Sequence, residues 1–375
     1  PDWSHTRVKW ELPADGREQN RQPLRQANWH SVERQKPYRA AIIGCGRVGG
    51  TFDDDPLRTT IWTHAGAYLA HPRTELVAAA DRNPEVLAAF GSRWGVSNLY
   101  SDARDLLDDT TVDILSICTW SDSHQEIALL GAEAGVKAIW CEKPMAHNLT
   151  EADRMLGGCR GLVLAVNHVR RWDTCYSSAR DLLRQGVIGR FLGAFCTYSG
   201  GISDMGTHLF DILMYLVGDA EAVWARPSAA DLSPDPSLSG DIAFHGGVLA
   251  HIVGLDTQNY EIFEIDVLGT DGRLRITSNG YRAELWDVGS SVRFSGVREL
   301  EFRRVVHEGD EGQRMVEAVS DIAHCIEHGG QTRCSGKDGR ASLELAAAFL
   351  KSHRSGRKVP LPLTGRDLQR IVPLR

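Results

Sequence analysis

The chain has 375 residues, 42% of them hydrophobic and 24% charged, with a formal net charge of −7. This balance fits a globular protein long enough for two apolar cores and excludes a disordered or fibrous chain. The acidic surplus argues against a nucleic-acid partner, and no apolar run approaches the about 18 residues that a membrane span requires.

Residues 1–37 are polar, without an apolar signal-peptide core or a sustained period of 2 or 3.6. Trp3, Trp10 and Trp29 nevertheless predict an arm that packs on its own body or on a neighbouring subunit. From residue 38 the pattern is regular. Apolar runs at 39–43, 75–80, 112–118, 136–141 and 163–166 read as strands, and helical patterns at 64–71, 84–94 and 124–134 lie between them. Strands apolar on both faces, alternating with helices, predict a parallel sheet with right-handed crossovers, closing a first domain over 38–168.

The second half, 169–362, changes character. A helix over 177–185 leads to an alternating strand at 191–198, and a helix over 207–216 follows. Strand-like runs come next, at 222–225, 247–253, 261–268, 273–277, 282–286 and 292–294, which predicts a largely antiparallel sheet with one face free. Helices over 313–328 and 339–355 are expected to return to the first domain, leaving a tail at 363–375. The eight cysteines form no CxxC pair and no zinc-like cluster, so buried free thiols in a reducing, cytoplasmic-type compartment, and no metal, are expected.

Three features carry chemistry. The turn Gly44-Cys45-Gly46-Arg47-Val48-Gly49 directly follows a strand, the context in which G-x-G-x-x-G cradles a pyrophosphate at a helix N-terminus. Asp81 ends the next strand, where an acid binds ribose hydroxyls and favours NAD over NADP. Arg82 beside it keeps NADP open, and Asp81 can instead simply cap the following turn. Second, Glu142-Lys143-Pro144 ends a parallel strand, which places an ammonium in the ligand crevice or, equally, on the surface. Third, Asp204 and His208 lie four apart on one helical face, spaced for a shared proton relay or for a satisfied histidine.

With these pieces in order, residues 39–362 resemble the glucose–fructose oxidoreductase / inositol dehydrogenase (Gfo/Idh/MocA) family. The resemblance rests on residues 41–49, residues 71–81, the Glu142-Lys143-Pro144 motif with the Ala132-Glu133-Ala134-Gly135 run before it, Asp204-x-Gly206-x-His208 with Asp211, and the turn at 269–274. It implies an α/β fold, with an N-terminal Rossmann doubly wound sheet and a C-terminal α/β domain. That domain's large open sheet commonly forms subunit contacts, so a homodimer or homotetramer is expected. It also implies NAD(P)-dependent oxidation or reduction of a hydroxyl on a sugar, cyclitol or related polyol. Carried over by position, Lys143 polarises the reacting oxygen, His208 is the acid/base, and Asp204 assists it. Arg171 and Trp172 match a substrate wall, and Glu142, Lys143, Thr119, Trp120 and His124 fall on the cofactor side.

Three departures stand out. Trp120 occupies a position where many relatives have proline. Only residues 199–203 separate Tyr198 from Asp204, where relatives carry a longer segment, so the site is expected to be open or completed by another chain. An insertion at 51–61 and the arm at 1–37 are the candidates to compensate. Such openness also admits a redox-neutral reaction through a transient keto-sugar, and a non-catalytic cofactor sensor is a third reading.

Overall fold

The computed structural model describes residues 36–226, 233–309 and 312–373, so the arm expected over 1–37 lies almost wholly outside the described residues. The first sheet has six parallel strands: β1 (Tyr38–Ile43), β2 (Thr74–Ala80), β3 (Leu99–Tyr100), β4 (Ile114–Ile117), β5 (Ala138–Cys141) and β6 (Val163–Val166). Their order is β3-β2-β1-β4-β5-β6, the doubly wound arrangement with its switch point between β1 and β4. Every residue of β4 and β5 is buried, as strands covered by helices on both faces must be.

Helices α1 (His64–Ala70), α2 (Pro84–Trp94), α3 (Ala103–Asp109), α4 (His124–Glu133) and α5 (Leu149–Gly158) connect these strands. Local chemistry sets their ends. Asn83 accepts hydrogen bonds from the Glu85 and Val86 N–H groups, Pro84 at the first position needs no acceptor, and Gly95 stops α2 at φ +71°. β3, α3 and α5 were not among the sequence expectations. For α5 the signal was present: Asn148 accepts from the Glu151 N–H, while Glu151 accepts from the His147 N–H.

The second sheet contains β7 (Phe191–Ser199), β8 (Ala220–Ala225), β9 (Gly240–Phe244), β10 (Leu249–Leu255), β11 (Phe263–Gly269), β12 (Gly272–Thr277), β13 (Arg282–Ser290), β14 (Arg298–Glu308) and β15 (Val359–Pro360). Its order is β14-β13-β12-β11-β7-β10-β9-β8-β15, antiparallel throughout except for the parallel pair β7 and β10. The strand expected at 292–294 does not form. Ser291 Oγ accepts the N–H groups of Arg293 and Phe294 and turns the chain, and the strand proper begins at Arg298.

Helices α6 (Thr174–Arg184), α7 (Thr207–Val217), α8 (Arg314–His328) and α9 (Gly336–Ser355) complete the described chain. α8 packs on α1 and β6, whereas α9 packs on α5, α7 and β8. The carboxyl ends of β5 and β6 are thereby brought opposite the start of α7, where Lys143 meets Asp204 and His168 meets His208. Seven of the eight cysteines are buried and all are free. Among the described residues no helix is long and apolar enough to cross a membrane.

Candidate active site

The glycine turn leaves β1 under tight steric control. Gly44 has φ +95°, and a Cβ there would lie 2.7 Å from the Cys118 carbonyl carbon. A Cβ at Gly49 would collide with the Gly44 carbonyl oxygen. At Gly46, by contrast, a Cβ would meet no atom of the other described residues within 4 Å, and Arg47 beside it is exposed. Two glycines close the turn, and the third keeps an open cradle of the kind a dinucleotide pyrophosphate fills.

Asp81 reaches this turn directly. Its Oδ2 accepts from the Cys45 N–H at 2.8 Å and its Oδ1 from the Asn83 N–H at 2.8 Å. The carboxylate therefore supports the turn as well as capping the chain beyond β2, and Arg82 projects to solvent. The insertion folds back onto the start of α1, where Asp53 accepts from the Trp62 N–H at 2.7 Å. There the Arg58 guanidinium lies over both Phe52 and Trp62.

Beyond β4, Trp120 is 62% exposed. His124 is 1% exposed, which corrects its expected placement against the cofactor. Its Nε2 faces the Thr119 carbonyl at 3.0 Å and its Nδ1 faces Cys141 Sγ at 3.3 Å, so it braces two loops. Burial lowers its pKa. Glu142 likewise turns inward. Its Oε1 accepts from His64 Nε2 at 3.0 Å and from Asn167 Nδ2 at 2.5 Å, and its Oε2 accepts from the Lys143 N–H at 3.2 Å. Burial opposes its charge, yet these donors and the Lys143 cation hold its carboxyl below the ordinary value. The Glu142 carboxylate, expected on the cofactor side, is held by contacts within the protein.

Lys143, at the carboxyl end of β5, points the other way. Its Nζ lies 2.6 Å from Asp204 Oδ1 and 3.4 Å from the Asp204 carbonyl oxygen. Both side chains keep a solvent-facing edge, 15% exposed for Lys143 and 18% for Asp204. Asp204 sits in the helical turn Ile202–Gly206, which runs directly into α7. His208, one turn on, is buried, and its Nδ1 has no hydrogen-bond partner among the described residues.

The expected relay from Asp204 to His208 is thus replaced by an ion pair from Asp204 to Lys143. Burial, then the charges of Lys143, Arg170 and Arg314, hold the His208 imidazole well below its usual pKa. His168, after β6, packs its ring edge-on against His208 at 5.4 Å and lies 2.8 Å from Ser342 Oγ.

The expected wall of Arg171 and Trp172 does not form. Both are interior, at 5% and 2% exposure. Arg171 pairs with Asp211 at 2.8 Å and with Asp338 at 2.9 Å, and Trp172 Nε1 donates to Asp321 at 2.9 Å. A buried guanidinium needs carboxylates on every side, which leaves none of it for a ligand. Arg170, half-buried over Phe263, is the cation of this run nearer the site.

His64, Asn167, His168, Arg170 and Arg314 were not anticipated. Asn167 and His168 follow β6 at the same sheet edge as Lys143, so strand topology was a usable signal for them. His64 is 78 residues from its partner Glu142, and nothing local marks it. The short stretch at 199–203 is backed by a neighbouring loop: Ser203 N–H and Oγ donate to Asp235, and Ser237 Oγ donates to the Gly200 carbonyl.

The family profile described as "Oxidoreductase family, NAD-binding Rossmann fold" matches residues 38–168, and its companion "Oxidoreductase family, C-terminal alpha/beta domain" matches 197–361. The chain is 29% identical over 359 residues to a D-apiose dehydrogenase of Paraburkholderia graminis, covering 87% of this chain and 90% of that one. It is 27% identical over 354 residues to a myo-inositol 2-dehydrogenase of Thermotoga maritima, covering 86% and 98%. A solved levoglucosan dehydrogenase in complex with NADH shares the fold at a TM-score of 0.73 and 23% identity, over 88% of this chain and 100% of that chain. The two profiles of one family, in order along the chain and meeting the two sheets just described, show that the chain belongs to the Gfo/Idh/MocA family of NAD-binding oxidoreductases.

Proposed function

We propose that the chain is an NAD-dependent dehydrogenase or reductase of a sugar or cyclitol hydroxyl, with Lys143 and His208 as its catalytic residues. The observation that carries this reading is the convergence of Lys143 on Asp204 at 2.6 Å, one turn from His208, at the sheet edge that bears the glycine cradle. NAD, when bound, supplies the hydride acceptor. Gly44 and Gly49 shape the turn, Gly46 leaves room for its pyrophosphate, Arg47 and Val48 flank it, and Asp81 is placed for the adenosine ribose. Trp120 lines the nicotinamide side. Relatives named as D-apiose, myo-inositol and levoglucosan dehydrogenases support a polyhydroxylated substrate.

In the oxidative direction His208 accepts the hydroxyl proton. Its depressed pKa keeps the imidazole neutral at neutral pH, the form a base must have. Lys143 places a positive charge where the alkoxide develops. Asp204 holds that ammonium in place beside the substrate hydroxyls. In the reductive direction each proton moves the opposite way.

The face of the second sheet that the described residues leave uncovered is proposed as the contact of a homodimer or homotetramer. A row running across the strands presents Trp224, Asp241, His251 and Phe195, and Phe195 stacks on His251 at 5.1 Å.

The test of the catalytic reading is a panel of sugars, cyclitols and glycosides with NAD and with NADP. Both the absorbance of reduced nicotinamide and the product masses are followed. Net reduction of NAD by a polyol, slowed about 100-fold in Lys143→Ala, is the expected result. Product formation without net NADH would replace it with the redox-neutral reaction, and binding of NAD without any product would replace it with a sensor.

A further inference from the structure

Glu142 is a carboxylate withdrawn from water, and such a group is tolerated only when its oxygens are bonded in one definite arrangement. Here Oε1 takes donors from His64 and Asn167, and Oε2 takes the backbone N–H of Lys143. Rotating the carboxylate would break all three bonds together. His64 is itself fixed: its ring lies 3.8 Å from that of Trp140, and its Nδ1 is 2.8 Å from Ser116 Oγ. Tyr68 OH closes the chain on the same hydroxyl at 2.7 Å. Helix α1, itself tied to β4 through Ser116, and the segment after β6 thus meet on one carboxylate beneath Lys143.

We propose, resting on the alkoxide-stabilising role of Lys143, that His64 and Asn167 are positioning residues: they clamp Glu142 so that it registers Lys143 against Asp204 and His208. A lysine side chain has four rotatable bonds, so its ammonium is only as well placed as its backbone. Asn167 also precedes His168, whose ring abuts His208 at 5.4 Å. The same carboxylate therefore registers the ammonium and the imidazole relative to each other. Misplacing a catalytic group by about 1 Å costs on the order of 100-fold in rate, which is ample reason for such a clamp.

The test uses the full chain with His64→Leu, His64→Gln and Asn167→Ala. Glutamine can still donate an amide N–H to Glu142, whereas leucine cannot. Because leucine beside a buried carboxylate threatens the fold, Asn167→Ala removes the second donor more gently, and circular dichroism checks each variant. The expected result is a fall in kcat of roughly tenfold to a hundredfold in His64→Leu and Asn167→Ala, with KM for NAD within about twofold and most activity kept in His64→Gln.

A second readout needs no turnover: the rate at which trinitrobenzenesulfonate labels Lys143, followed by peptide mass. It should rise several-fold in the two damaging variants as the ammonium leaves Asp204, and stay unchanged in His64→Gln. Folded variants with unchanged kcat and labelling would overturn the clamp, as would loss of NAD binding at unchanged kcat. Should the wild type turn over no polyol while labelling still shifts as described, the catalytic reading falls and the clamp stands.

Discussion

Lys143 Nζ and Asp204 Oδ1 lie 2.6 Å apart across 61 residues of sequence, joining the end of a parallel strand in one sheet's domain to the helical entry of α7 in the other. The pair is partly open to solvent, so its worth lies in placing a charge rather than in stability. Lys143→Ala should lower kcat about 100-fold, the scale of a positioned catalytic group. Asp204→Asn, which keeps an acceptor for the ammonium but removes the opposing charge, should cost less and raise KM for the polyol. Steady-state kinetics on the best polyol of the panel check both, and wild-type turnover in Lys143→Ala would exclude it from the chemistry.

His208 predicts a pH profile with a definite sign. Burial and the neighbouring cations depress its pKa, so the base form persists below the ordinary histidine range. In the oxidative direction kcat/KM should stay level as pH falls from 8 to about 6.5 and drop only at lower pH, where the imidazole finally protonates. The reductive direction needs the protonated form and should accelerate over that same lower range. His208→Gln should remove the acid limb along with most of the rate.

The buried histidines also set how stability responds to acid. His124, His168 and His208 all have lowered pKa values in the folded chain, with burial as the largest cause. The unfolded chain therefore takes up protons first, near pH 6.5, and the folded chain does not follow until lower pH. Their contribution is complete above the unfolded value and is lost as pH falls below it. The thermal midpoint should decline between pH 7 and pH 5, and His168→Asn should flatten that slope.

The three glycines of the turn separate folding from binding. Gly46→Ala places a methyl group where no atom of the other described residues lies within 4 Å, so the fold should survive while NAD affinity falls at least tenfold, or ~1.4 kcal/mol. Gly49→Ala drives a methyl into the Gly44 carbonyl and should destabilise the domain with or without cofactor. Calorimetric titration with NAD and thermal melts tell the two apart. Equal loss of stability in both variants would mean that the open cradle at Gly46 is not a ligand's space.

Much of this arrangement is legible in the amino-acid sequence. Strands such as β4 and β5 announce themselves because a parallel strand buried on both faces is a continuous apolar run. Lys143, Asp204 and the glycine turn were legible because each carries a short motif at a strand or helix end. β14 was not, since its sequence RELEFRRVVHE is half charged and belongs to an edge strand exposed along most of its length. Arg171 misled for a different reason. A basic–aromatic pair near a site has the same sequence pattern whether it faces a ligand or, as here, two carboxylates of other helices. His64 shows the remaining limit: a pairing across 78 residues leaves no local trace.

The outer face of the second sheet yields the last prediction. Phe195, Trp224 and Val253 are exposed there at 56%, 50% and 46%, apolar side chains gathered on one face of the sheet. Toward β12 and β13 the face becomes charged, with Asp266 between Arg273 and Arg275 and with Arg282 paired to Glu284. An apolar centre with a charged margin is the composition of a subunit contact, and about 800 Å² per partner suffices for a specific one. Phe195→Glu combined with Val253→Glu places carboxylates on that centre without touching the inward-facing residues Ala194, Cys196 and Ile252. The fold should therefore persist while the sedimentation coefficient drops to that of a 41.4 kDa monomer. An assembly unchanged by both substitutions would place the subunit contact elsewhere on the chain.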